Sequence, residues 1–345
     1  MKMKAIRYYA PMDIRYETVE LPDPKDDEVT IKIKAALTCG TDVKTFKRGH
    51  PKLIKTVPSG FGHEFAGEIY KVGKNVKNLK IGDRVVAANS APCGECYYCR
   101  IGEYNLCENL DLLNGAYAQY INIPALITTK NVVKIKDTTK FEQAAFAEPL
   151  ANVVNGIEKT DIKPGQTVGI VGIGPIGLMF ARLAKLKGAK VIVGGRNPLK
   201  LELAKTFAGA DEVIDLKNNA NYVQDILNFS TENKGLDVAV ECVGLPEIWE
   251  QMFSLVRKGG TVHLFGGCKS GSKVTLDTTR VHYDGLKIIS VFHHTPQTFR
   301  KALELIESGA VDVEKLITAR MPLEQAKEAI NLHDSGKAIK VLIQP

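Results

Sequence analysis

The sequence has no apolar run approaching the roughly 20 residues that a membrane-spanning helix requires, so no membrane insertion is expected. The segment from Met1 to Arg7 has no apolar core of the roughly 7–15 residues found in secretory signals, which points to a cytoplasmic protein. Internal repeats and low-complexity stretches are missing. With 15 Pro and 30 Gly in 345 residues, a fibrous or disordered chain is excluded. There is no acidic excess: 46 Lys and Arg against 39 Asp and Glu leave a net charge of +7. The basic residues are spread along the chain and are densest from Lys44 to Lys55. That stretch reads as a solvated loop, or alternatively as a mouth that draws in anionic ligands. Neither a recognition helix nor an arginine-rich arm is present, so no nucleic-acid partner is expected.

At about 150 residues per domain, the length suggests two domains. Four of the seven cysteines, Cys93, Cys96, Cys99 and Cys107, lie close together. In a reducing compartment such a cluster holds metal more often than disulfides. The spacing can set four thiolates around one tetrahedral Zn²⁺ at about 2.3 Å, with Pro92, Gly94 and Gly102 supplying tight turns. An iron–sulfur cluster is the alternative occupant. Four protein ligands close a zinc site, which makes this a structural centre.

Residues 1–140 read as short strands broken by turns: Val29–Ala35, Phe65–Val72, Arg84–Ala88 and Ala118–Ile123. Near residue 160 the pattern becomes apolar strands alternating with helical stretches. The strands are Thr167–Val171, Lys190–Gly194, Glu212–Ile214, Asp237–Cys242, Thr261–Phe265 and Leu286–Val291. Six buried-type strands predict an α/β fold with a doubly wound parallel sheet. Helices over Thr298–Ser308 and Leu323–Asp334 and a strand over Ala338–Ile343 follow, and the last segment is expected to return to the first domain.

Gly172-Ile-Gly174-Pro-Ile-Gly177 joins the first of these strands to a helix, the context a dinucleotide-binding turn requires. Gly172 permits the turn, Gly174 lets a pyrophosphate approach the backbone, and Gly177 lets helix and strand pack closely. Pro175 and Ile176 open the helix whose N-terminus faces the phosphates. An NAD site needs an acidic residue about 20 positions on, yet no Asp or Glu occurs between Gly177 and Glu202. Gly195 followed by Arg196 leaves room for a 2′-phosphate and supplies a cationic fork, with Lys200 as a second charge. The cofactor is therefore expected to be NADP(H), with NAD as the alternative.

Three further segments are ordinary singly: Cys39-Gly-Thr41-Asp42, Gly62-His63-Glu64-Phe65-Ala66-Gly67 and Glu148-Pro-Leu-Ala151. Taken in order with Pro92-Cys93-Gly94-Glu95-Cys96 and the glycine turn, the whole chain resembles the zinc-containing medium-chain alcohol dehydrogenases. The likeness is strongest to their sorbitol, threonine and polyol branch. It implies a GroES-like β-rich catalytic domain over residues 1–151 and 293–345, and a Rossmann domain over 152–292. It implies two Zn²⁺ per chain, one catalytic. Cys39 and His63 would be ligands, Glu64 and Glu148 would compete for the remaining protein position, and Asp42 would fix the tautomer of His63. Thr41 takes the place of the hydroxyl that receives the substrate proton. Lys44 stands where relatives often carry a relaying His, so it relays, contacts an anionic substrate, or leaves the relay to water. Val243, Gly266, Phe292 and His293 would border the cofactor.

The activity so implied is hydride transfer between a polyol, sugar or secondary alcohol and NADP(H), in a homodimer or homotetramer. NAD-dependent polyol or threonine-type oxidation is the alternative. A non-catalytic zinc- and nucleotide-binding protein and a zinc-free quinone reductase relative are disfavoured by the presence of Cys39 and His63. Arg196→Asp is expected to raise the KM for NADP at least about tenfold, or roughly 1.4 kcal/mol, without raising that for NAD. An equal change in both would refute the role of Arg196.

Overall fold

A computed structural model describes residues 1–217 and 219–345. The chain divides into two compact units, Met1–Asn152 with His294–Pro345, and Val153–His293.

In the first unit the strand Val29–Leu37 is buried along almost all its length, which fits its nearly continuous apolar run. It pairs antiparallel with Glu64–Val72 on one side and with Lys340–Gln344 on the other, while Tyr120–Ile123 covers its first half. The chain terminus thus returns to this unit. Among the described residues the sheet runs in the order Ile317–Pro322, Lys340–Gln344, Val29–Leu37, Glu64–Val72, Arg84–Ala87, Val132–Lys134. A second sheet joins Asp13–Glu20, Lys2–Ala10 and Ser59–Gly60. Phe46, Phe61, Phe65 and Tyr117 are almost wholly buried in the core of this unit. Each such ring contributes on the order of 2 kcal/mol by leaving water.

Part of the dense basic stretch is helical rather than looped. Lys44, Lys47 and Arg48 lie on the helix Gly40–Arg48, whose buried face carries Val43 and Phe46. Helical spacing leaves the three cations exposed on the opposite side.

In the second unit six strands pair parallel in the order Glu212–Asp215, Lys190–Gly195, Thr167–Val171, Leu236–Glu241, Val256–Leu264, Lys287–Ile289. Chain order reverses between Thr167–Val171 and Leu236–Glu241, the switch point beside which open α/β sheets bind ligands. The last strand is shorter than expected. Of the expected Leu286–Val291 only Lys287–Ile289 is extended, after a short helix, Thr278–His282, capped by the Asp277 side chain.

One buried group in this unit ties stability to pH. His263 is fully buried and packs edge-on against Phe180 and Phe265. The Thr160 hydroxyl donates to the Gly156 carbonyl at 2.6 Å and lies 2.6 Å from Nδ1 of His263, which therefore carries the proton. Burial lowers the pKa of His263 from 6.5 to about 4. The unfolded chain therefore binds this proton first, and the stabilisation is complete above about pH 6.5 and fades as pH falls towards 4. The difference amounts to about 3 kcal/mol. Urea unfolding of wild type and His263→Leu should show a stability gap that narrows by about that amount between pH 7 and pH 4. A gap independent of pH would contradict it.

Candidate metal and cofactor sites

Strand register brings the candidate metal ligands together. Leu37 pairs with Glu64, so the residues just beyond one strand end face those just before the other. Cys39 caps the helix Gly40–Arg48: its sulfur accepts the Thr41 N–H at 3.5 Å, and the Asp42 carboxylate accepts the Cys39 N–H at 3.0 Å. A thiolate is favoured at a helix N-terminus, where free N–H groups and the helix dipole present positive potential. His63 follows Gly62, which has φ +85° and faces the Tyr117 ring so closely that a Cβ would meet it at 2.3 Å.

Asp42 organises the cluster. One carboxylate oxygen lies 2.9 Å from Nδ1 of His63, and the other accepts the Tyr117 hydroxyl at 2.6 Å as well as the Cys39 amide. Burial raises the pKa of Asp42, but the charge and hydrogen bond of His63, with those of Tyr117 and Cys39, outweigh it and hold the group below its usual value. With Nδ1 engaged, Nε2 is the nitrogen available to a metal. Ligand atoms of Cys39, His63 and Glu64 lie within 4.8 Å of one another. Thiolate, imidazole and carboxylate form a donor set that suits zinc.

Glu148 is buried outside that trio. Asn152 donates to it at 3.2 Å, and His294 Nε2 lies 3.9 Å away. Burial raises its pKa, against the pull of His63. Thr41 stands on the first turn of the helix and Lys44, exposed, one turn further on.

Lys340 was not anticipated. By extension of the register that pairs Leu342 with Leu37, it lies level with Cys39. Its ammonium bonds both carboxylate oxygens of Glu64, one at 2.6 Å, and both side chains are almost wholly buried. Burial lowers the Lys340 pKa, yet Glu64 and Cys39 reverse this and hold it above its usual value. A lysine inside the apolar run Ala338–Ile343 was the available signal. Tyr117 carried no comparable signal.

In the four-cysteine lobe all four sulfurs fall within 4.8 Å, with Cys93–Cys99 and Cys96–Cys107 each 3.9 Å apart. Those separations are far beyond the disulfide length of about 2.05 Å. The Cys93 sulfur accepts the amides of Glu95 and Cys96, each at 3.4 Å, which lowers its pKa to about 6. Burial pushes Cys99 up to about 12. Lys130 ties down the turn by donating to the carbonyls of Pro92 at 2.7 Å and Cys93 at 3.0 Å.

In the second unit the glycine turn follows Thr167–Val171. Gly172 has φ +101°, Gly174 caps the helix Pro175–Leu186 with open space where its side chain would be, and a Cβ on Gly177 would meet the Gly172 carbonyl at 1.9 Å. Gly195 is closely faced by the glycine turn: a Cβ there would meet Ile173 Cδ1 at 2.0 Å, so that side chain would have to shift. Arg196 is exposed, and burial lowers the pKa of Lys200. Phe292 and Val243 are exposed, and His293 has φ +63° with its carbonyl held by Asn155 at 2.8 Å.

Breaking the Lys340–Glu64 pair leaves a buried charge without a partner. Lys340→Met should destabilise the chain by about 3–5 kcal/mol, and adding Glu64→Gln should restore most of the loss. Chemical denaturation of the four proteins of this cycle checks it, and additive losses would refute the pairing.

Comparison with known proteins shows the family. Residues 25–137 match the alcohol dehydrogenase GroES-like domain, and residues 175–308 match the zinc-binding dehydrogenase family. Sorbitol dehydrogenase of Bacillus subtilis (strain 168) is 34% identical over 99% of this chain and 97% of its own length. D-arabinitol dehydrogenase 1 of Uromyces fabae is 32% identical over 100% and 97%. Among solved structures, a zinc-binding dehydrogenase from Sinorhizobium meliloti 1021 bound to NADP superposes with a TM-score of 0.92 at 32% identity, covering all of both chains. The chain belongs to the zinc-containing medium-chain alcohol dehydrogenases, in their polyol and threonine dehydrogenase branch.

Proposed function

We propose that this protein is a zinc- and NADP-dependent dehydrogenase that oxidises a polyol or secondary alcohol and carries two zincs per chain. The observation that carries this reading is the convergence of Cys39, His63 and Glu64, with Asp42 fixed on the far nitrogen of the imidazole. These three groups hold the first zinc, and Cys93, Cys96, Cys99 and Cys107 hold the second. Bound zinc supplies Lewis-acid polarisation of an alcohol oxygen, and the nicotinamide supplies the hydride acceptor.

The chain's own groups do the rest. Asp42 sets the tautomer and direction of His63. Lys340 neutralises the Glu64 carboxylate, both side chains being buried. Glu148 adds a buried negative charge near His63. The Thr41 hydroxyl accepts the proton that leaves the substrate. The hydroxyl passes its own proton on to solvent water, along the helix face on which Lys44 stands three residues further on. Amides at the start of the helix Pro175–Leu186 bind the pyrophosphate, and Arg196 with Lys200 binds the 2′-phosphate. Exposed Ile288 on the edge strand Lys287–Ile289 supports pairing with a second copy into a dimer or tetramer.

His63→Ala should abolish turnover, lower the zinc content from two per chain to one, and leave NADP binding intact. Retained turnover in this variant would falsify the assignment, as would a wild-type chain with fewer than two zincs.

A further inference from the structure

One buried carboxylate lies outside the metal chemistry. Glu241 ends the strand Leu236–Glu241 and is fully buried. One of its oxygens accepts the amides of Val243 at 2.5 Å and Gly244 at 2.8 Å, and the other accepts Nε1 of Trp249 at 3.0 Å. These three donors are neutral N–H groups. Burial raises the pKa of Glu241, and the hydrogen bonds from Gly244, Val243 and Trp249 oppose that rise.

The same groups reach the next turn. Trp249 Nε1 also donates to the Gly266 carbonyl at 2.9 Å, and the Gly266 amide donates to the Glu241 backbone carbonyl at 3.0 Å. A Cβ on Gly266 would meet the Glu241 carboxylate at 2.6 Å and the Gly244 nitrogen at 2.4 Å. A Cβ on Gly172 would meet Val243 at 2.7 Å. The turns after three adjacent parallel strands are therefore packed against one another with a single carboxylate at their centre. Ligands of such sheets bind outside these strand ends, and each half of the sheet serves one mononucleotide. The glycine turn belongs to the first half, and the turns after Glu241 and Leu264 belong to the second.

We propose that Glu241 is a positioning residue for the dinucleotide, holding the Val243–Gly244 and Phe265–Gly266 turns as one rigid ledge for its nicotinamide half. The role rests on the dehydrogenase reading above. It also assigns the backbone of Val243 and Gly266, both expected to border the cofactor. The Val243 amide and both Gly266 backbone groups are consumed internally, so the ledge meets the ligand through its shape and the exposed Val243 side chain. Trp249, the only tryptophan in the chain, is its optical reporter.

The test uses the full-length, zinc-loaded protein with NADP and NAD as probes. In wild type, saturable cofactor binding should shift Trp249 emission. Glu241→Gln places an amide against N–H donors and should raise cofactor Kd and KM about tenfold, with kcat within about threefold and zinc content unchanged. Trp249→Phe removes one of the three donors and should raise Kd about threefold, read by calorimetry. Should Glu241→Gln fail to fold, an unchanged Kd in Trp249→Phe overturns the proposal. Normal wild-type binding with an unchanged Kd in folded Glu241→Gln overturns it alone, whereas a wild-type chain that binds neither dinucleotide overturns the dehydrogenase reading with it.

Discussion

The hydrogen bond between Asp42 and Nδ1 of His63 depends on two strand ends being in register, and the candidate metal chemistry depends on that bond. Asp42 is three residues from Cys39 in sequence and 21 from His63. It caps the helix on one side and orients the imidazole on the other. A carboxylate accepts from several donors at once, so one side chain can close a capping box, take a tyrosine hydroxyl and fix a tautomer. Buried without those donors it would be costly, and with them it lies below its usual pKa.

What was legible in the sequence was local. The four cysteines and the glycine turn depend on spacing within about 15 residues, where turn geometry and ligand number dictate the residue types. The six parallel strands followed from apolar runs alternating with helical stretches. The errors were also local. A positive run read as loop was in part the exposed side of an amphipathic helix, and the strand expected over Leu286–Val291 is only the three residues Lys287–Ile289. Lys340 and Tyr117 were not legible, because they reach the cluster only through pairing across hundreds or tens of residues. A polar residue inside an apolar strand marks such a partner without naming it.

The two units use buried carboxylates differently. Glu64 is paired with an ammonium, and its environment is one of opposed full charges. Glu241 is held by amides and an indole, and its environment is one of dipoles. Dipoles favour a fixed scaffold, because directional N–H bonds specify the position of backbone atoms more closely than a point charge does.

The methyl of Ile173 fills the space a side chain at position 195 would need. In dinucleotide-binding sheets an acid near the end of that strand is what holds the ribose 2′-hydroxyl of NAD. In this chain a side chain at position 195 would require the outer atoms of Ile173 to move aside. The room at this strand end is therefore set jointly by two residues, one in the glycine turn and one at the end of the neighbouring strand.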